Sequence, residues 1–220
     1  MSEITYPYIR DYLKAIQPEE DERIHAIREE AIAGHVPIIK SEVKQLLRFL
    51  IAMHKPVRIL EIGTAIAYSS IIMCDCMGDH GHITTIERSQ KMISQALHNI
   101  ERTGKKEQIT LLEGDAGDIL KTLTGPYDMI FMDAAKGQYL TFLPDCMRLL
   151  KVNGLLISDN VLQDGTVAKS RFNVPRRQRT IHQRMREYLW EINHHPQLQT
   201  SILPVADGVT LSFKLDERRC

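Results

Sequence analysis

Five short apolar runs in this chain each end in an acidic residue or are soon followed by one. Glu61 lies in the run Arg58–Ile62, with Gly63 just beyond it. Glu87 follows residues 82–86, and Gly114-Asp115 follows residues 108–112. Asp133 closes Tyr127–Met132, and Asp159-Asn160 follow residues 155–157. Open α/β sheets bind ligands beyond the carboxyl ends of their strands. Acids at five such ends therefore point to one shared crevice.

Two kinds of chemistry fit these acids. The turn after the first run contains Gly63 and lacks the other glycines of G-x-G-x-x-G. One glycine lets backbone approach a ligand closely, but a pyrophosphate cradle, and with it NAD, is disfavoured. Glu87 comes 24 positions after Gly63, a spacing that suits a carboxylate accepting from two ribose hydroxyls. An acid there equally suits the start of a helix. Together these features point to a nucleoside cofactor without a phosphate chain, with S-adenosylmethionine as the candidate. Asp133, Asp159 and Asn160 are all hard oxygen donors, which suit Mg²⁺, Mn²⁺ or Ca²⁺ better than zinc. The plainer alternative is that Asp159 caps a turn and Asn160 bonds backbone. Lys136 follows Asp133 closely; a lysine beside a metal ion is more easily deprotonated and can act as a general base. A solvated surface lysine is the alternative there too.

The elements that must position these residues follow from the apolar rhythm. Helical spacing predicts helices over residues 4–16 and 19–33, then one over 41–53 with Ser41 as its N-cap. Beyond Pro56, strands alternate with helical stretches such as 89–103 and 138–150, which implies an α/β fold with helices on both faces of a mostly parallel sheet. Residues 199–203 and 209–215, joined at Asp207-Gly208, predict an antiparallel hairpin at one side of that sheet. The expected organisation is a single domain over residues 1–220, with the helices of residues 1–55 packed on its core. Hydrophobic residues make up 43% and charged residues 25% of the 220, which excludes extensive disorder. Basic and acidic residues number 28 each, so the chain is not basic overall. Cys74, Cys76, Cys146 and Cys220 form no C-x-x-C pair, and the opening MSEITYPYIRDY has no apolar signal core. Free thiols in the cytoplasm are expected. Residues 59–78 are mostly apolar but are read as a buried strand and helix; no membrane partner is expected. His35, His54, His182, His194 and His195 lack metal-ligand spacing and are expected at the surface or at caps. Met73, Met77, Met92, Met129 and Met132 read as core filler.

Leu60-Glu-Ile-Gly-Thr-Ala-Ile-Ala-Tyr-Ser69, Thr85-Ile-Glu87, Gly114-Asp-Ala116, Met132-Asp-Ala-Ala-Lys136 and Ser158-Asp-Asn160 resemble the cation-dependent O-methyltransferase family. That family includes catechol and caffeoyl-CoA O-methyltransferases. The resemblance runs over residues 36–213 and, through Arg171-Phe-Asn-Val-Pro-Arg-Arg-Gln-Arg179 and the helix after it, is nearest to the bacterial branch acting on tRNA 5-hydroxyuridine. It implies a class I methyltransferase, Rossmann-like, with a seven-stranded sheet containing one antiparallel strand, and a homodimer. It also implies site roles. Glu61, Gly63 and Ser69 would line the methionine end of S-adenosylmethionine, Glu87 would hold the ribose, and Asp115 and Ala116 would border the adenine. Asp133, Asp159 and Asn160 would hold Mg²⁺, with Asp133 also near the cofactor. Lys136 would be the base, and Ile38 a further cofactor contact. Ala67 stands where many members have glycine, and its extra methyl is expected beside the cofactor.

A metal that binds two adjacent acceptor oxygens serves a catechol and 5-hydroxyuridine alike, so the acceptor must be chosen by other residues. Residues 161–190 hold seven bases (Lys169, Arg171, Arg176, Arg177, Arg179, Arg184, Arg186) against Asp164 and Glu187. A basic cluster directly after Asp159-Asn160 is expected to flank the site mouth and attract phosphates. Phe172, Tyr188 or Tyr139 could stack on a base. The resemblance implies the tRNA anticodon loop as substrate, with 5-methoxyuridine at the wobble position as product, and Lys169, Arg171, Arg176, Arg177 and Arg179 as tRNA contacts. Other readings stay open. One is a solvated face paired with the acidic N-terminal helices. Another is a gate for a small anion such as an acyl-CoA, and a third is an enzyme for catechols or other small vicinal hydroxyl compounds. The last is a non-catalytic RNA-binding module, which the intact Asp133, Lys136, Asp159 and Asn160 set disfavours.

Overall fold

A computed structural model describes residues 4–216. Its sheet contains β1 (Arg58–Ile62), β2 (His82–Glu87), β3 (Ile109–Glu113), β4 (Tyr127–Met132), β5 (Leu150–Ser158), β6 (Leu198–Leu203) and β7 (Val209–Lys214). The strand order is β3-β2-β1-β4-β5-β7-β6. β7 runs antiparallel to both β5 and β6, while β3, β2, β1, β4 and β5 pair in parallel. This is the α/β methyltransferase architecture expected above, with one antiparallel strand.

Strand alternation divides the core in two. Ile59, Met129, Phe131, Leu155 and Ile157 face one side, under α2 (Glu22–Ala33), α3 (Ser41–His54), α4 (Tyr68–Met77) and α5 (Gln90–Arg102). Leu60, Ile62, Ile130, Met132 and Leu156 face the other, under α6 (Ala116–Thr122), α7 (Tyr139–Leu149) and α8 (Arg179–His194). Because both faces are covered, the parallel strands read as continuous apolar runs. The apolar stretch 59–78 is β1 followed by α4, and among the described residues no helix is long and apolar enough to cross a membrane. Cys74, Cys76 and Cys146 are free thiols; the same expectation for Cys220 lies outside the described residues. Met73, Met129 and Met132 are fully buried core residues, and Met77 and Met92 pack against the core, as expected.

Several boundaries differ from expectation for local reasons. α1 spans Pro7–Ala15 rather than 4–16, because proline fits the first helical position, where no N–H partner is needed. α2 begins at Glu22 rather than 19, because the Asp21 carboxylate accepts the Arg23 N–H at 2.9 Å and caps it. Ser41 is not an N-cap. It is already helical, and its hydroxyl donates to Glu42. β5 begins at Leu150, five residues before the expected start, and α6 was not foreseen. His182 is buried, its Nε2 3.2 Å from the Lys169 carbonyl, instead of at the surface.

The parallel ladder continues one residue past the strands, where the acids sit. Gly63 N–H donates to Ile86, Asp133 N–H to Ile62, Asp159 N–H to Met132 and Gly114 N–H to Glu87, at 2.8–3.1 Å. Gly63 takes φ +105, and a Cβ there would collide with the Asp133 carbonyl oxygen and lie 2.9 Å from its carbon. At the opposite, amino-terminal ends of the central strands, the Asp128 carboxylate accepts the Val57 and Arg58 N–H groups at 2.7 Å each and pairs with Lys151. Burial opposes the Asp128 charge, but Lys151 and the two N–H groups outweigh it and hold its carboxyl below the usual range.

Two substitutions separate these ends. Asp128→Ala leaves two backbone donors and a lysine unpaired and is expected to lower stability by about 2 kcal/mol in urea unfolding at neutral pH. That loss should shrink in acid, because a depressed carboxyl stabilises only while ionised. Gly63→Ala combines an unfavourable φ with a backbone collision, so it is expected to cost about 3 kcal/mol in the same measurement. A neutral Gly63→Ala would mean that the two strand ends are not held so close.

Candidate active site

Two cavities open beyond the carboxyl ends of the parallel strands. One, of about 430 Å³, is lined by Ile38, Gly63, Ser69, Asp133, Lys136, Asp159 and Asn160, together with Lys40, Tyr68 and Asp207. The other, of about 240 Å³, is lined by Glu87, Asp115, Ala116 and Phe142 among others. Gly63, Ala65, Asp133 and Ala134 border both, so the two form one bent groove. The groove brings together every expected cofactor and metal residue except Glu61, which is fully buried behind its wall.

Glu61 sits at the centre of a shell of hydroxyls. Ser69 donates to it at 2.5 Å and Thr85 at 2.6 Å, and Ser70 donates as well. Thr85 gives its proton to Glu61, so Thr64, 2.6 Å away, donates to Thr85. Burial raises the Glu61 carboxyl, the three hydroxyls pull it back, and nearby Asp133 pushes it up, leaving it at about 7. Ser70, Thr64 and Thr85 were missed from sequence. The available signal was a pair of threonines, Thr84-Thr85, in an otherwise apolar strand.

Glu87 meets its helix-start reading and also borders the groove. One carboxylate oxygen accepts the Arg88 and Ser89 N–H groups at 2.9 Å each, just ahead of α5, and the other accepts the Ala65 N–H at 2.9 Å. It thereby braces the Gly63–Ala67 turn while bordering the smaller cavity. Asp115 caps α6 through the Gly117 N–H at 2.9 Å and also borders that cavity. Ala67 does not add its methyl to the groove. It is fully buried in the core at φ +65, and the left-handed turn points it inward.

The metal-type donors come from adjacent strand ends, which Tyr139 ties together. Its hydroxyl lies 3.2 Å from the Met132 carbonyl and 3.0 Å from that of Asp159. Burial raises the Asp133 carboxyl, Asp207 adds to this, and Lys136 opposes it. Burial and the Asp133 charge push Asp159 up to about 7, although the Asn160 N–H, 2.6 Å from its carboxylate, works the other way. This bond matches the plainer reading of Asp159 as a turn cap. Two crowded, buried carboxylates beside an amide form a site short of positive charge, and the donors are all oxygens, so the residues fit a divalent ion such as Mg²⁺. Among the described residues no cluster of three His, Cys, Asp or Glu side chains suits a metal, so the set is two carboxylates and an amide. Asp207, expected only as part of the turn before β7, lines the cavity 2.6 Å from Lys40.

The basic segment forms short 3₁₀ turns at Thr166–Ala168, Arg171–Asn173 and Arg176–Gln178 before α8. Arg184 of α8 donates to the Gly137 carbonyl at 3.1 Å, which fastens α8 beside Lys136. Lys169, Arg171, Arg176 and Arg177 are exposed. Among the described residues, the salt bridges of the acidic N-terminal helices run to Arg10, Arg23, His25, Arg28, Lys44 and Arg102, and none reaches this segment. The alternative reading of a face paired with those helices is thus not met among the described residues. Arg179 is tied to the Val174 carbonyl at 3.0 Å. Tyr139 and Tyr188 are fully buried against each other and cannot stack on a base, whereas Phe172 is 84% exposed.

Comparison with known proteins agrees with this geometry. Residues 15–215 match the family model described as O-methyltransferase. A catechol O-methyltransferase from Niastella koreensis is 31% identical over 76% of this chain and 78% of its own. A solved structure from Staphylococcus aureus, whose assignment as a caffeoyl-CoA O-methyltransferase is itself provisional, shares 35% identity with a TM-score of 0.88 and covers 94% of this chain and 99% of its own. The SAH-bound methyltransferase PaMTH1 of Podospora anserina shares 26% identity with a TM-score of 0.86, over 95% and 94%. With the fold, the groove and these matches in agreement, the chain belongs to the O-methyltransferase family.

Proposed function

We propose that the protein transfers a methyl group from S-adenosylmethionine to a hydroxyl oxygen that has a second oxygen beside it. The bent groove carries this reading. One arm ends at Glu87 and the other at Asp133, Asp159, Asn160 and Lys136. SAH in the Podospora relative is the demethylated form of the same donor, which supports it. Glu87 is the residue to hold the ribose, and Asp115 and Ala116 border the adenine. Gly63 lets the donor lie against backbone. Glu61 orients Ser69 toward the methionine end. Asp133, Asp159 and Asn160 would hold Mg²⁺, with Mn²⁺ or Ca²⁺ as substitutes. Held there, a divalent cation would supply the Lewis acidity that lowers the pKa of the reacting hydroxyl. Lys136 is placed to take that proton, and the groove walls set the line of attack.

For the acceptor, we assign 5-hydroxyuridine at the wobble position of tRNA, giving 5-methoxyuridine. Exposed Lys169, Arg171, Arg176 and Arg177, without salt bridges among the described residues, support a polyanionic substrate. Their link to the Lys136 turn through Arg184 and Gly137 supports docking at the mouth. A single-stranded anticodon-loop base is presented at little unstacking cost. The second reading is a catechol or a similar small acceptor, favoured by the names of the relatives.

Labelled S-adenosylmethionine, tRNA carrying 5-hydroxyuridine and a simple catechol, each with and without EDTA, decide between these readings. EDTA-sensitive labelling of the tRNA is expected, with loss of at least about tenfold on Arg176→Glu/Arg177→Glu while any catechol labelling persists. Labelling of the catechol alone would sink the tRNA assignment and keep the chemistry.

The cation has a test apart from turnover. A carboxyl raised by the fold disfavours its own ionisation, so the Asp159 contribution to stability falls between about pH 4 and about pH 7. Mg²⁺ should therefore raise the melting temperature more at about pH 8 than at about pH 5, and Asp159→Asn should abolish that gain. An equal gain in Asp159→Asn would move the cation elsewhere.

A further inference from the structure

One buried charge has no part in the transfer described above. Glu20 lies in the linker between α1 and α2, and its side chain is only 9% exposed. Its Oε1 accepts from the Lys44 ammonium at 2.7 Å and from the Tyr68 hydroxyl at 2.8 Å, and its Oε2 from the Arg28 guanidinium at 2.9 Å. Lys44 is itself 7% exposed. Burial works against the Glu20 charge, and its three partners together hold the carboxyl below the usual range. Such a group is retained at a desolvation cost, and removing one partner leaves the others exposed to that cost.

The position of Tyr68 gives this network a use. A cavity of about 800 Å³ lies between the N-terminal helices and α3, lined by Glu20, Arg28, Lys44 and Tyr68 among others. Tyr68 also lines the 430 Å³ cavity of the candidate site. Its ring is therefore part of the partition between the two. The next residue, Ser69, lines the site and donates to Glu61, so a shift of Tyr68 is passed directly to the groove. The Tyr68 hydroxyl is held by an acid from outside the sheet-and-helix core, and a hydrogen bond to a charged acceptor fixes a ring firmly.

We propose that Glu20 is a positioning residue. Through Tyr68 it sets the wall at the methionine end of the groove, so the linker between α1 and α2 governs affinity for the methyl donor without touching it. The inference rests on the donor reading above.

The test measures SAH binding by calorimetry on the full chain, as wild type, Tyr68→Phe, Glu20→Gln and the double variant, with melting temperatures alongside. Tyr68→Phe removes one oxygen and leaves Glu20 with Lys44 and Arg28. It is expected to weaken SAH binding about five- to tenfold, with the melting temperature lowered by roughly 5 °C and the protein folded at the assay temperature. In turnover the loss should fall mainly on the KM for S-adenosylmethionine. Glu20→Gln should weaken binding by a similar factor, and the double variant no further, because both act through one bond. A merely structural network would lower melting temperatures and leave SAH affinity untouched. Unchanged affinity in Tyr68→Phe, or fully multiplicative losses in the double variant, would overturn the role of Glu20 while the donor reading stands. Wild-type protein that fails to bind SAH would overturn both.

Discussion

Two backbones pass each other where Gly63 meets the Asp133 carbonyl, with no room for a side-chain carbon between them. The site depends on that approach. It sets the end of β1 against the end of β4, and the extended ladder then fixes Glu87, Gly114 and Asp159 in register with them. A loop could present the same five residues, but it would lack the ladder of backbone hydrogen bonds that defines their spacing here. The positive φ at Gly63, Ala65 and Ala67 is part of the same constraint, because the chain must turn sharply into α4 to leave the groove open.

The electrostatics of the groove follow from burial rather than from strong partners. Burial pushes Glu61 and Asp159 both up to about 7, the first in opposition to its hydroxyl donors and the second with help from the neighbouring Asp133 carboxylate. The two solutions differ in kind. Around Glu61 the shell of Ser69, Ser70 and Thr85 satisfies the carboxylate internally. Asp133 and Asp159 instead crowd each other at the groove wall, while Tyr139 holds the two strand ends from beneath. Glu61, inside β1, is closed off by its hydroxyls, whereas Asp133 and Asp159, one residue past their strands, line the groove.

That difference marks how far the sequence could be read. Alternating buried strands and amphipathic helices leave a strong local pattern, so the sheet, the five acids and the closing hairpin were legible. Burial of a particular side chain is a tertiary outcome and leaves no such pattern. Tyr139 and Tyr188 look as available as Phe172 in sequence, yet only Phe172 is exposed. Ala67 sits between residues that line the groove, but its left-handed backbone turns it into the core. Asp207 belonged to a turn signal and is also a wall of the site. The network around Glu20 joins positions 20, 28, 44 and 68 from four segments, and their proximity exists only after folding.

The clasp at Asp128 bears on how such a protein can change. It joins α3, β1, β4 and β5 at the amino-terminal ends of the strands, away from the groove. The anchor and the reactive rim thus share strands but no side chains. Substitutions that retune the rim toward a different acceptor leave the anchor's contribution intact, and a sturdier anchor gives the rim more mutations to try before the fold is lost. New specificities in such an architecture can therefore arise by small steps at one end of the strands while the other supplies the tolerance.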